Sequence, residues 1–357
     1  MEFDCGGRFW PSPVRWLVIH STPDDDLIQP VAPTSCPGHK HKEAVMQSPS
    51  IKLLLFLILA SGTASGDPNP ATWPLVQGPY LGQEPPGRSA ELFAPNLIST
   101  DQSEIGSVFS ADLTEFYYTI WTEETGTRIM VTRQIDGIWA APQRTSFSNH
   151  PSDVDVAISP DNSKIFFGTK RPRPGETEAG NSGFDIWYAN RIATGWSPEE
   201  FLGPVVNSGT SQVYPTVAAD GTLYFQAIRE EGYGRADIYK SRLVDGVYQE
   251  PQNLGPIVNS EHYEGDVYVS PDQSYLIISI YGRDDDLGGG DLYISFQTSG
   301  DEWSPPRNLG PGINSTERDF CPMVSPDGRY LFFSSKRLGM GDVFWIDASV
   351  IKELEGR

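Results

Sequence analysis

Hydrophobic residues in this chain come in short runs that recur in the same order. One run leads into a turn of the Ser-Pro-Asp-Gly type, a β-branched and aromatic run follows the turn, and a third run follows a polar, glycine-containing loop. Short runs rich in Val, Ile, Tyr, Phe and Trp between turn residues predict β-strands. The order occurs five times, and its turn aspartates are Asp112, Asp161, Asp220, Asp272 and Asp327.

The spacing of these copies predicts the fold class. The turn aspartates follow one another at intervals of 49, 59, 52 and 55 residues, and self-similarity at a period of about 40–50 residues indicates a propeller or an array. Proline-containing segments join the copies at 195–208, 247–260 and 302–315. They suit an outer edge strand, where a missing N–H costs no ladder hydrogen bond. The sequence therefore predicts an all-β fold, a five-bladed β-propeller of four-stranded antiparallel blades.

The two ends of the repeat region complement each other. Residues 90–100 resemble a joining segment with no copy before it, and the last copy ends near Arg357 with no joining segment after it. We expect Glu91–Ser99 to close the ring as the outer strand of the final blade. Six blades would need a further blade in residues 67–88, which show no strand pattern.

Residues 1–89 do not carry the repeat. We interpret residues 1–45 as a non-native extension ahead of Met46, and residues 46–66, with Lys52, a short apolar segment and then small residues, as a secretory signal peptide. The apolar segment is too short to span a bilayer. These features predict a periplasmic or extracellular protein without a stable membrane anchor. Residues 67–89 are predicted to be a Pro/Gly-rich extended segment that packs on the propeller domain, residues 90–357.

Net charge and cysteine content limit the classes of partner and the chemistry expected of this chain. A formal net charge of −21 opposes binding to nucleic acid and to anionic membranes, and favours solubility or cationic partners. Cys5 and Cys36 lie in the predicted leader, so Cys321 remains alone and is expected to be a small buried residue rather than a nucleophile. We expect a monomer that binds a protein or a glycan and needs no cofactor.

The repeat resembles a known family. Each copy combines the Ser-Pro-Asp-Gly turn, an arginine after the second strand and a Gly-x-Asp before an aliphatic and an aromatic residue, and the joining segments end in Asn-Ser. This pattern is similar to the Pro-Asp type of WD-like repeat in the TolB-like propellers of bacterial exported proteins. The resemblance covers about residues 90–350 and is weakest in the first copy, where Thr122 replaces the arginine and Arg128 the later aspartate. It implies a propeller and a protein-binding role, although the family includes propellers attached to peptidases and a lyase group, and a fold alone does not define a function.

Five equivalent positions form the main candidate site. Each lies six residues before the turn serine, or before Ala218 in the third copy, and together they are Glu104, Asp153, Gln212, Glu264 and Asp319. We expect this acid ring to open the innermost strands and to surround one mouth of the central channel. The second strands return to the same face and carry Arg171, Arg229, Arg283 and Arg337. The third strands begin nearby with Asp185, Asp237, Asp291 and Asp342.

Two interpretations of this constellation stay open. Pairing of acids with arginines between adjacent blades would satisfy charged groups at a crowded rim, and this structural role is favoured for most members. The pattern breaks at Gln212 and in the first blade, where the arginine is missing and Glu123 and Glu124 stand instead. This net-acidic sector is where a cationic or peptide ligand is expected.

Other chemistry is less well supported. Asp284, Asp285 and Asp286 precede glycines and could chelate Ca²⁺, although their spacing differs from an EF-hand and an exposed loop is favoured. A Gly-x-Ser-x-Gly elbow is absent, and outside the predicted leader only His150 and His262 remain, too few for a three-histidine zinc site. The favoured function is a non-catalytic binding or scaffold propeller. The alternative is a five-bladed glycoside hydrolase with Asp153, Glu264 and Asp319 as acid and base.

Overall fold

The computed structural model describes residues 73–177 and 183–355, and the propeller lies within one compact unit, Pro68–Arg357. Two short strands precede the first blade, β1 (Val76–Gln77) and β2 (Glu91–Leu92). The first blade contains β3 (Ser103–Phe109), β4 (Glu115–Thr122), β5 (Gly126–Ile135), β6 (Ile138–Trp139) and β7 (Gln143–Arg144). The second contains β8 (Val154–Ile158), β9 (Lys164–Thr169), β10 (Asp185–Ile192), β11 (Gly195–Trp196) and β12 (Glu200–Phe201).

Three more blades follow the same plan. The third contains β13 (Ser211–Val217), β14 (Leu223–Ile228), β15 (Asp237–Ser241), β16 (Leu243–Val244), β17 (Val247–Tyr248) and β18 (Gln252–Asn253). The fourth contains β19 (Tyr263–Val269), β20 (Tyr275–Tyr281), β21 (Asp291–Ser299), β22 (Glu302–Trp303) and β23 (Arg307–Asn308). The last is formed by β24 (Asp319–Val324), β25 (Tyr330–Ser335) and β26 (Asp342–Asp347), and α1 (Ser349–Glu355) follows it.

Each blade is an antiparallel sheet of four main strands. From the inside outwards the orders are β3-β4-β5-β7, β8-β9-β10-β12, β13-β14-β15-β18, β19-β20-β21-β23 and β24-β25-β26-β2. The third strand of the first, second and fourth blades also pairs with a short hairpin strand, β6, β11 or β22. The prediction of five four-stranded blades is confirmed.

The N-terminal strand closes the ring as predicted. Glu91 pairs with Trp345 and Leu92 with Phe344, and the Phe93 N–H donates to the Val343 carbonyl at 2.8 Å. The closing strand covers only Glu91–Leu92 of the predicted Glu91–Ser99, because the chain then enters turns. No sixth blade forms in residues 73–88, where β1 instead extends the first blade by pairing with β6.

The segment before β2 seals the junction between the first and last blades. Tyr80, in a 3₁₀ turn (Tyr80–Gly82), is buried and packs against Phe109 of the first blade and Tyr330 of the last, at 5.2 and 4.8 Å between ring centroids. Trp73 donates from its indole N–H to the Trp139 carbonyl at 2.8 Å. These contacts hold the segment against the first and last blades.

The turn aspartates have a structural role. Ser110 donates its hydroxyl to Asp112 at 2.6 Å, and the Asp112 carboxylate accepts the Thr114 N–H at 3.1 Å. Equivalent contacts form at Asp161 and Asp327. Each carboxylate thus satisfies the amides of its own turn, as the Ser-Pro-Asp-Gly pattern predicts.

The predicted extension and signal peptide, residues 1–66, lie outside the described residues. Within the described part of the chain, no helix is long and apolar enough to cross a bilayer.

Candidate functional site

Every innermost strand contains a β-bulge at nearly the same place. The pairing register shifts between Ile105 and Val108 in β3 and at the matching residues of β8, β13 and β24, and one residue earlier, between Glu264 and Val267, in β19. The residues inside these shifts include Gly106, Asp155, Tyr214, Asp266 and Cys321. We call these five the bulge ring.

Four members of the bulge ring have left-handed backbone. The φ angles are 57° at Gly106, 57° at Asp155, 52° at Tyr214 and 50° at Cys321. For residues other than glycine this conformation costs on the order of 1 kcal/mol each and tends to occur at functional sites. A bulge re-aims a side chain, and here the same device recurs in all five blades.

The bulge ring lies against a central cavity of about 240 Å³. All five innermost strands line it, together with Ala111, Pro160, Pro271 and Pro326 from the turns that follow them. Ala111, Pro271 and Pro326 are exposed, so the cavity opens on the face of the propeller that carries the Ser-Pro-Asp-Gly turns. We call this the turn face.

Two buried carboxyl groups stand at the inner end of this cavity. Asp155 and Asp266 are 4% and 2% exposed. Asp266 Oδ2 accepts the backbone N–H of Cys321 at 2.5 Å. Within the described residues, the Oδ1 atoms of both carboxyl groups are buried without a hydrogen-bond partner. A buried polar atom without a partner is rare in proteins and calls for an explanation.

The two carboxyl groups differ in proton affinity. Burial raises the pKa of Asp155 well above its usual range, and the negative charge of Asp266 raises it further. Burial also raises the pKa of Asp266, but the Arg318 guanidinium opposes this, as do hydrogen bonds from the side chain and the N–H of Cys321 and from the Tyr214 side chain. Arg318 is held in place by donating from Nε to the Tyr281 hydroxyl at 2.5 Å. Asp155 therefore holds its proton more strongly than Asp266 does.

The acid ring is buried. Glu104, Asp153, Gln212, Glu264 and Asp319 are all 0% exposed, and the residues that line the cavity lie two or more positions further along each strand. The five residues lie at or next to the starts of the innermost strands, where none of their side chains is accessible from solvent.

Two acids of the ring form the expected arginine pairs. Arg171 Nη2 contacts Asp153 at 2.8 Å, and Arg337 Nη2 contacts Asp319 at 2.7 Å. Both pairs join the first and second strands of one blade, whereas the sequence suggested pairing between adjacent blades. Arg171 Nη1 also contacts Glu199 at 2.5 Å. A buried pair of this kind holds its two strands in register.

The other two arginines form no ion pair with a ring acid among the described residues. Arg229 donates to the Val206 carbonyl at 3.2 Å, as Arg171 does to Phe147 and Arg337 to Ile313, and it lies 3.9 Å from the exposed Glu231 and Glu250. Both amide atoms of Gln212 are buried without a partner among the described residues. Arg283 contacts Asp285 at 3.1 Å through Nε.

Glu104 and Glu264 are held by hydroxyl groups instead of arginine. Thr100 donates its hydroxyl to Glu104 at 2.5 Å, and Ser260 donates its hydroxyl to Glu264 at 2.5 Å. Burial raises the pKa of Glu104 and raises the pKa of Glu264 to about 7. Glu264 Oε2 has no partner within the described residues.

Glu264 is expected to make stability depend on pH. The pKa of about 7 in the folded protein exceeds the ordinary value near 4.3, so between these values the folded state binds more protons than the unfolded state. The free energy of unfolding therefore falls as pH rises from about 4.5 to 7. Glu264→Gln is expected to remove this slope and to make the protein more stable at pH 8, by on the order of 3 kcal/mol. Urea unfolding of the wild type and the variant at pH 5, 6, 7 and 8 measures this pH dependence of the free energy of unfolding.

The matched control is Glu123→Gln, because Glu123 is exposed on a loop. It should keep the wild-type pH slope. If Glu264→Gln also keeps that slope, another group titrates and the assignment to Glu264 is wrong.

The remaining predicted residues have local roles. Asp185 pairs with Arg173 at 2.7 Å, and Asp237 accepts the N–H groups of Tyr233 and Gly234. Asp291 accepts the Leu287 N–H at 2.8 Å, and Asp342 is buried at the start of β26.

The three aspartates of the Ca²⁺ candidate belong to an exposed loop. Asp285 and Asp286 accept the Tyr293 hydroxyl at 2.9 and 2.7 Å, and Asp286 also accepts the Gly282 N–H. Asp284 is exposed. Across residues 73–177 and 183–355, no group of three or more His, Cys, Asp or Glu side chains is placed to hold a metal ion.

One face of the propeller carries exposed apolar side chains. The loops between second and third strands share this face, since each meets the start of the next innermost strand: Thr127 N–H donates to Pro151 and Glu104 N–H to Gly341. We call it the loop face. Its exposed large apolar residues, 39–63% accessible, are Trp121, Ile228, Tyr233, Leu287, Leu338 and Met340. Glu123 and Glu124 are exposed beside Trp121.

Sequence reasoning missed the bulge ring. Asp155 and Asp266 are visible in the sequence as acids two residues after the ring positions Asp153 and Glu264. The recurring acid-x-acid pattern in two copies was a usable signal, but only the bulge turns these side chains toward the channel.

Comparison with known proteins found similar solved structures but no matching family. No protein-family model matches the chain, and no curated protein matches it. TolB from Acinetobacter baumannii has a TM-score of 0.47 and 14% identity over 71% of this chain and 54% of that one, so this chain matches about half the length of that protein. The putative TolB from Agrobacterium tumefaciens has a TM-score of 0.46 and 16% identity, over 70% of this chain and 78% of that one.

A structure described as a glycoside hydrolase gives a TM-score of 0.50 and 10% identity, over 76% of this chain and 92% of that one. At identities this low the similarity shows the β-propeller fold alone.

Proposed function

We propose that this protein is an exported, non-catalytic binding propeller that holds a protein partner against its loop face. The observation that carries the proposal is the set of apolar side chains exposed around that face, which four of the five blades contribute. Exposed apolar side chains grouped on one face are typical of protein-interaction sites. The predicted signal peptide supports export, and the likeness to TolB supports the fold.

Charge defines the partner further. The chain carries a net charge of −21, and Glu123 and Glu124 flank Trp121 on the loop face. Acidic groups at the rim of an apolar patch favour a partner with basic residues around an apolar centre, and they accelerate its encounter. The proposed partner is therefore a protein surface that combines apolar and basic side chains.

Site-specific photo-crosslinking tests this proposal. A photoreactive amino acid at Leu338 or Tyr233 on the loop face should give one discrete adduct with a protein in an extract of the organism that makes this chain. Its matched control is Val247, which is 61% exposed in the β16–β17 hairpin and lies off the loop face. The double variant Leu338→Ser, Met340→Ser should remove the adduct formed from Tyr233. Equal adducts from Val247, or an adduct that survives the double variant, would overturn the proposal.

A glycoside hydrolase is the second candidate. Two residues predicted for its acid and base, Asp153 and Asp319, form buried ion pairs with arginine. This pairing opposes a catalytic role for them. The observation that favours hydrolysis is a different pair, Asp155 and Asp266, whose unequal proton affinities suit one acid and one base or nucleophile. Release of nitrophenol from aryl glycosides, lost in both Asp155→Asn and Asp266→Asn, would establish this candidate in place of a non-catalytic role.

A further inference from the structure

We infer that the central cavity is a binding site for a primary alkylammonium group, entered from the turn face. This site is separate from the loop face, and the inference does not depend on the proposed protein partner. It rests on the cavity, on the two buried carboxyl groups at its inner end and on the apolar walls that lead to them.

Each of the two carboxyl groups at the inner end of the cavity keeps one oxygen without a hydrogen-bond partner. Asp155 Oδ1 and Asp266 Oδ1 are buried without partners among the described residues, and both residues line the cavity. An ammonium group has three donors and no acceptor, so it suits a cavity end that presents unpaired carboxyl oxygens. A buried acceptor left unpaired costs about 1–3 kcal/mol, and a ligand that pairs it recovers that cost.

The charge balance also favours a cation. With both carboxyl groups ionised, Asp155 and Asp266 carry two negative charges, and Arg318 supplies one positive charge beside Asp266. A bound monovalent cation neutralises the one negative charge that Arg318 leaves unbalanced. Burial and the negative charge of Asp266 favour a proton on Asp155, and an ammonium group bound there would supply the positive charge in place of that proton. An anionic ligand would meet two carboxyl groups and is excluded by the same balance.

The walls fit an alkyl stem. Val108, Val156, Val217, Val267 and Met323 line the cavity. Tyr214 and Tyr268 also line it, and aromatic side chains can attract cations. A volume of about 240 Å³ accommodates one alkyl chain with its ammonium head. A lysine side chain and a free diamine share this chemistry.

Calorimetric titration of the full chain at low salt and pH 7.5 tests the site. The probes are n-butylamine, 1,5-diaminopentane and Nα-acetyl-lysine amide, with n-butanol and butyrate as uncharged and anionic controls of similar length. We expect the amines to bind and the two controls not to bind. Binding of the lysine derivative would identify a protein segment as the natural source, and binding of the free amines alone would identify a polyamine. Equal binding of n-butanol, or no binding of any amine, overturns the inference.

Variants locate the binding. Asp266→Asn is expected to weaken amine affinity about tenfold or more, because it removes the carboxyl group of the pair that ionises more readily. The matched control is Asp327→Asn, an exposed turn aspartate next to the cavity-lining Pro326, which should bind like the wild type. If both variants lose affinity equally, general surface charge explains the binding and the site is wrong. If Asp266→Asn does not fold, the difference in affinity of the wild-type protein for n-butylamine and n-butanol still tests the inference.

Discussion

Phe93→Ala is expected to lower the free energy of unfolding by about 3–5 kcal/mol, the usual cost of removing a buried phenylalanine from a core. Phe93 is 0% exposed and follows directly on the closing strand β2. Its ring lies 5.0 Å from Phe332 and 5.1 Å from Trp345 in the last blade, and 5.2 Å from Phe116 in the first. The substitution leaves a cavity where the ring of blades closes. Guanidinium unfolding monitored by circular dichroism measures the loss.

Leu75→Ala is the matched control. Leu75 belongs to the same N-terminal segment but is 74% exposed, so its replacement should change stability by less than about 0.5 kcal/mol. A loss below about 1 kcal/mol in Phe93→Ala would show that the closing contact contributes little and that the blades hold together without it.

Asp153→Ala is expected to destabilise the protein by about 3–5 kcal/mol, because it leaves a buried charge without its partner. Arg171 is 7% exposed at its side chain, and its Nη2 lies 2.8 Å from Asp153. The remaining contact of Arg171, with the partly exposed Glu199, compensates only in part. Thermal and denaturant unfolding of the variant measure the effect.

A paired change separates charge from packing. Asp153→Ala combined with Arg171→Leu removes both charges, and it should recover a substantial part of the lost stability, since replacing both members of a buried pair is often close to neutral. Asp284→Ala, on an exposed loop, should have little effect. If the double variant is as unstable as Asp153→Ala, the loss comes from packing and not from the unpaired arginine.

The sequence predicted the fold well because its signals are local and repeated. Each Ser-Pro-Asp-Gly turn is held by its own serine and aspartate, as at Ser110 and Asp112, so the turn can be identified without knowledge of distant contacts. Ring closure was also predictable, since residues 90–100 supply the strand that the last copy lacks. The blade number followed from the count of turns.

The candidate site was predicted less well, for two reasons. Alternation of side chains along a regular strand gave no warning of the bulges in the innermost strands, so Asp155 and Asp266 were passed over in favour of Asp153 and Glu264. The repeat also predicted one arginine for each acid of the ring. The structure pairs only Asp153 and Asp319 in this way, because Arg283 contacts Asp285 in its own loop and the first blade has Thr122 in the arginine position.

The five blades, their turns and the strand that closes them follow from the sequence alone, because each depends on contacts within one repeat or on the two ends of the repeat region. Which side chains line the channel and which carboxyl groups lack a counter-ion is visible only in the folded molecule. Those outcomes depend on a bulge in each innermost strand and on burial at the centre of the ring, where residues from five distant parts of the sequence meet.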